Sequence, residues 1–136
     1  MADPRPPRGL IDTSVVIDLE LIAPADLPME LAVSAITMAE LAAGPHATTD
    51  PAERARRQDR LQRAEATFEP LPVDAAVARA YGRVYAAVGA AGRKGRGRRA
   101  VDLFVAATAV AAGLPLYTRN PDDFVGLSEM LELVVV

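Results

Sequence analysis

The apolar positions of this chain fall in short blocks whose period changes at each boundary. Gly9, Leu10 and Ile11 run apolar into Asp12, and Val15, Val16, Ile17 and Leu19 follow at helical spacing. A strand over 9–12 and a helix over 14–22 are predicted. "LAVSAI" (31–36) is β-compatible, and "TMAELAAG" after it is helical up to a Gly44-Pro45 stop. Residues 51–67 form a polar, Arg-rich helix. "FEPLPV" (68–73) carries two prolines and is an edge strand at best. Val77, Tyr81, Val84 and Val88 mark an amphipathic helix over 74–90. "AVDLFVAATAVAAG" (100–113) is apolar nearly all round, which predicts a helix buried on most sides. A strand over 114–118, a helical turn from "RNPDDF" and a strand over 131–136 complete the chain.

Strands therefore alternate with helices. That order predicts an α/β fold, a three-layer α/β/α sandwich around a mainly parallel sheet. At 136 residues the chain is expected to be one domain over 1–136. Its first eight residues, rich in Pro and Arg, are expected to be flexible, and the basic loop 92–99 lies inside the domain.

Composition narrows the chemistry. There is no cysteine, so disulfides and thiolate metal sites are excluded. No apolar run approaches the roughly 18 residues of a membrane span. No apolar segment precedes residue 10, so no secretory signal is expected and the protein is read as cytoplasmic. A net charge of −3 excludes a globally basic nucleic-acid binder. The basic residues are nonetheless clustered, at Arg54, Arg56, Arg57, Arg60 and Arg63 and again at Arg93, Lys94, Arg96, Arg98 and Arg99. The first cluster reads as a solvated helix face balanced by Glu53 and Asp59, or as an interface. The second leads directly into Asp102 and reads as an RNA contact, or as a merely mobile loop.

Four positions carry candidate acids: Asp12 follows the first predicted strand, Glu40 lies in the helix after the second, Asp102 starts the buried helix, and Asp122 with Asp123 follows the strand ending at Thr118. Each has a plain structural explanation. Thr37 and Glu40 make a capping-box pattern, with Thr37 as N-cap. Asp102 would favour the dipole of its helix from the first turn. Asn120, Pro121, Asp122 and Asp123 read as N-cap, Pro at N1, and two acids in the first turn. Asp12 suits the N-cap of the helix near Ser14. Taken together, the acids converge at the carboxyl ends of parallel strands, where ligands bind in such sheets. Crowded carboxylates repel one another unless a cation lies between them. Mg²⁺ takes oxygen ligands of this kind, so Asp12 is a candidate metal ligand.

"LIDTSVVID", "SAITMAELAAG", "AVDLFVAATAVAAGLPLYTRNPDDF" and "GLSEMLELVVV", in that order and spacing, resemble a PIN-domain ribonuclease of the VapC type, the toxin of a bacterial toxin–antitoxin pair. The resemblance spans nearly the whole chain. It implies an endoribonuclease whose acids Asp12, Glu40, Asp102 and Asp123 hold Mg²⁺ or Mn²⁺ and activate a water. Asp12 and Asp102 would be direct ligands, and Glu40 and Asp123 would hold a second metal or orient waters. The last polar position falls in the pattern Thr118, Asn120, Asp123, Phe124. Ser14, Thr118 and Asn120 would position water or phosphate. The resemblance also implies an RNA substrate, a homodimer and a cognate antitoxin.

The residue inventory agrees. Metal-free RNA cleavage commonly uses histidine, and His46, the one histidine, lies in an apparent surface loop. A phospho-acceptor receiver domain needs a lysine after its last functional strand, whereas Lys94 lies in the basic loop. A D-x-D phosphatase lacks its second acid here, where Asp12-Thr13-Ser14 stands. The remaining rival is a catalytically degenerate PIN-like module that binds RNA or a partner without cutting.

Overall fold

A computed structural model describes residues 4–92 and 98–136, with the backbone alone for Arg98. Four strands, β1 (Arg8–Ile11), β2 (Glu30–Ala32), β3 (Leu116–Thr118) and β4 (Leu133–Val135), lie in the order β2-β1-β3-β4. Every pairing is parallel. The helices are α1 (Thr13–Ile17), α2 (Ala35–Ala43), α3 (Pro51–Thr67), α4 (Ala75–Ala90) and α5 (Arg98–Ala112).

Strand alternation divides the core in two. Leu10, Ala32 and Leu116 face α4 and α5, against Val77, Ala80, Val84, Val88, Leu103 and Ala106. Their neighbours Ile11, Val33 and Tyr117 face the other way, against Val15, Val16, Leu41 and Ala64 of α1, α2 and α3. The three layers expected from the alternation are thus present. The rings of Tyr81 and Phe104 stack with centroids 4.1 Å apart and lock α4 to α5. Gly9 is where β1 must lack a side chain, because a Cβ there would stand 2.5 Å from Cε1 of Tyr117 on β3. Burial of that ring pushes the Tyr117 phenol pKa up.

Several boundaries differ from the sequence reading. Pro6 and Pro7 already accept hydrogen bonds from the N–H groups of Met29 and Glu30, so the stretch expected to be flexible is tied down from Pro6 on. α1 stops at Ile17, and a separate 3₁₀ turn follows at Leu19–Leu21, where Leu21 is 76% exposed and contributes little to the core. The cap of α2 is Ser34, whose Oγ accepts the N–H of Thr37, so the helix begins two residues before Thr37. Segment 68–73 makes one parallel bridge, Leu71 with Ser34, rather than a strand. α3 has the expected bounds, with Asp50 as N-cap and Pro51 at N1. α5 begins at Arg98, so the end of the expected basic loop is helical. The expectation for Arg93, Lys94 and Arg96 lies outside the described residues, as does that for the Arg98 side chain.

Candidate active site

Because all four strands are parallel, their carboxyl ends share one edge of the sheet. β1 delivers Asp12 there, β3 delivers Thr118, and α2 rises from the end of β2 carrying Glu40. Asp12 is buried, 7% exposed, and caps α1 through Oδ1, which accepts the Val15 N–H at 3.1 Å. The same oxygen accepts the Ser14 hydroxyl at 2.5 Å. Oδ2 accepts the Thr118 hydroxyl, also at 2.5 Å. The structural and functional readings of Asp12 therefore coincide in one side chain.

The two hydroxyls are themselves aimed. The N–H of Arg119 donates to Ser14 Oγ at 3.1 Å, and the N–H of Asn120 donates to Thr118 Oγ1 at 3.0 Å. A hydroxyl whose lone pair already accepts an N–H directs its own proton elsewhere, here to the carboxylate. Ser14 and Thr118 thus hold the Asp12 carboxylate. A carboxylate offers about four acceptor sites, and these donors leave one, on Oδ2.

Glu40 lies six residues after its cap, too far along α2 for the capping-box role. Its Oε1 accepts the Thr13 hydroxyl at 2.6 Å, and Thr13 also reaches Thr37 Oγ1 at 3.2 Å. Consecutive residues of the D-T-S triplet therefore tie Glu40 and Asp12 to one short helix. Asp102 is half-buried in the second turn of α5, beyond the first turn that the dipole argument required. Asn120 caps the Pro121–Phe124 3₁₀ turn without a side-chain bond. Asp122 on that turn is exposed and Asp123 half-buried. Arg99 donates from Nη1 to the Asp123 carbonyl at 3.0 Å and so joins the start of α5 to this turn. That bond uses one of the five guanidinium N–H donors of Arg99.

Among the described residues no group of three His, Asp or Glu side chains stands close enough to hold a metal ion. The crowding expected of the acids is absent to that extent. The donor set still suits a hard cation, since Mg²⁺ needs only one or two carboxylates besides water and phosphate. Asp12 keeps one acceptor site for that purpose.

Sequence reading missed Thr13, Ser34 and Arg119. For the first, no local signal existed, since its acceptor Glu40 lies 27 residues away on another helix. The first basic cluster is largely spent on itself. Glu53 takes Arg56 at 2.7 Å and Arg57 at 3.0 Å, which holds its carboxyl below the usual range. Arg63 pairs with Asp59 and Glu20, while Arg54 and Arg57 donate to the carbonyls of Pro45, Thr48 and Gly44. His46 is exposed on the turn Gly44–Ala47.

The profile of the PIN domain matches residues 10–127, which takes in the whole of this site. The chain belongs to the PIN-domain family. It is 34% identical to "Ribonuclease VapC5" of Mycobacterium tuberculosis over 134 residues, 96% of each chain. It is 42% identical to "Ribonuclease VapC8" of the same species over 102 residues, 74% of this chain and 89% of that one. The solved VapBC-5 toxin–antitoxin structure from M. tuberculosis matches with a TM-score of 0.81 at 35% identity, covering 96% of this chain and 100% of that chain. Within the PIN family the chain therefore sides with the VapC-type toxins. No described helix is long and apolar enough to cross a membrane.

Proposed function

We propose that this PIN-domain chain is a metal-dependent endoribonuclease, the toxin of a toxin–antitoxin pair, acting as one domain over 1–136. The observation that carries the reading is Asp12, a buried carboxylate at the end of a central strand, held by hydroxyls and left with one open acceptor site. Likeness to ribonucleases over nearly the full length supports it.

Mg²⁺ or Mn²⁺, when bound, lowers the pKa of a water and neutralises charge on the scissile phosphate. Asp12 and Asp102 would hold it, Asp12 through its free acceptor site. Glu40 and Asp123 would orient waters or hold a second ion. Ser14 and Thr118 fix the Asp12 carboxylate, and their donors on 119 and 120 fix them. Of the acids on the last turn, Asp123 is the one assigned to the site, since it is half-buried where Asp122 is exposed and its main-chain carbonyl is held by Arg99. Asn120, exposed beside Thr118, is available to the phosphate. Arg93, Lys94, Arg96 and Arg98 supply the positive charge that draws an RNA backbone toward these acids.

The partners proposed are an RNA substrate, a cognate antitoxin and a second copy of the chain, in the cytoplasm. A second reading has one observation behind it. Among the described residues no three acids gather, which suits a module that binds RNA or a partner without cutting. Incubation of the purified protein with total RNA, with and without Mg²⁺ or Mn²⁺, followed by mapping of new 5′ ends, decides between the two. Discrete ends that appear only with metal are expected. Intact RNA under every condition, with RNA binding retained, would establish the second reading.

A further inference from the structure

Asp12 caps the N-terminus of α1, and Asp18 stands at its other end, where the Asp18 N–H closes the helix onto Ser14 and Val16 carbonyls. Both ends of this helix are tied to the same segment after β3. At the first end, Thr118 donates to Asp12 and the Arg119 N–H donates to Ser14. At the second, the Arg119 guanidinium meets Asp18, Nε to Oδ2, at 3.2 Å. Arg119 therefore grips α1 at two points, by its backbone and by its side chain.

α1 has only five residues. A helix so short has no stiffness of its own, since one turn fixes several dihedrals for very few hydrogen bonds. Its orientation must come from outside. Val15 and Val16 anchor one face in the core and Thr13 bonds Glu40 at the first turn, which leaves the last turn to be held by Asp18. The Asp12 main chain is held to β3 by its N–H on the Tyr117 carbonyl, and α1 supplies the Ser14 hydroxyl and Val15 N–H that fix Oδ1 of its carboxylate. We propose that the Asp18–Arg119 ion pair is a staple that sets the pitch of α1, and so positions Asp12 for its ligand. This rests on the reading of Asp12 as a metal ligand. The pair is about one-third exposed, 32% for Arg119 and 39% for Asp18, so it adds little to global stability. What it contributes is alignment.

The test compares Arg119→Gln, Asp18→Asn, the double variant and Arg119→Lys with wild type, all as full chains. The first readout is amide hydrogen exchange by NMR in metal-free protein at positions 119 and 120, whose N–H groups donate to Ser14 and Thr118. Exchange at both should rise roughly tenfold in either single variant, a local opening, with an almost unchanged melting temperature. The double variant should rise no further, and Arg119→Lys should recover part of the protection. The second readout is Mn²⁺ affinity by EPR. It should fall roughly tenfold, as for other groups that orient a metal ligand. Unchanged exchange at 119 and 120 in both single variants overturns the staple. So does raised exchange with wild-type Mn²⁺ affinity, provided Asp12→Asn abolishes that affinity. If wild type takes no Mn²⁺ at all, the metal reading of Asp12 fails, and the exchange data alone decide the staple.

Discussion

Thr13 and Glu40 are joined by one hydrogen bond of 2.6 Å, from the hydroxyl of the first residue of α1 to a carboxylate in the middle of α2. Glu40 thereby sits over the residue next to Asp12, though the two acids come from different strand–helix units. The bond needs only an acceptor, which a glutamine oxygen also provides. Glu40→Gln should therefore leave the melting temperature within experimental scatter while RNA cleavage falls at least severalfold. Cleavage at the wild-type rate would reduce Glu40 to a partner for Thr13.

Asp12→Asn and Asp102→Asn should each abolish metal-dependent cleavage, because both remove the charge a cation needs. They should differ in stability. Asn at 12 must turn an NH₂ toward the Ser14 or Thr118 hydroxyl, whereas Asp102 caps no helix. Asp12→Ala should go further and lose about 0.5–2 kcal/mol, the usual cost of an N-cap. Chemical denaturation and end-mapped RNA digests measure the two effects separately. Full activity in either Asn variant would remove that acid from the ligand set.

Thr118 is fully buried and uses its hydroxyl twice, toward Asp12 and from Asn120. Thr118→Val keeps the shape but takes a donor from the buried Asp12 carboxylate and the acceptor from the Asn120 N–H. The expected loss is about 1–3 kcal/mol by urea unfolding, the cost of an unsatisfied group. Activity should fall with it. Thr118→Ser restores the hydroxyl and should recover most of both.

The basic residues preceding α5 act on RNA rather than on metal in this reading. Replacing Arg93, Lys94 and Arg96 with Ser, in an Asp12→Asn background that prevents cleavage, should weaken single-stranded RNA binding. The log–log salt slope should flatten by up to about 2, near 0.7 for each phosphate that is no longer neutralised. Arg99→Ala should behave differently, leaving the slope near wild type and loosening the Pro121–Phe124 turn instead. Parallel salt lines for the triple variant would assign these cations to a protein partner.

Much of the fold was legible because local chemistry and tertiary packing agree. Asp50 and Pro51 mark the start of α3, and the spacing of Val77, Val84 and Val88 is that of a buried stripe. The burial and capping role of Asp12 were legible because an acid between an apolar strand and a helix start suits an N-cap. The cap of α2 was not, since Ser34 and Thr37 are both competent hydroxyls and the apolar run around them suits strand and helix alike. The early start of α5 was hidden because Arg is a good helix former and the preceding glycines suggested loop. The donors on 118–120 could not be read at all. They depend on which strand lies beside β1, and that is a property of topology rather than of any local pattern.

Asp12 and Thr118 are 106 residues apart in sequence. On a growing polypeptide they emerge in that order, about 5–20 s apart at ordinary rates of synthesis. Until β3 is made, β1 lacks a neighbour on one side, Oδ2 of Asp12 lacks its donor and Ser14 lacks the N–H that aims it. An unfinished chain therefore carries Asp12 without the bonds that hold it. The topology thus makes the completed site a late product of synthesis, because the strand that supplies its donors follows most of the chain.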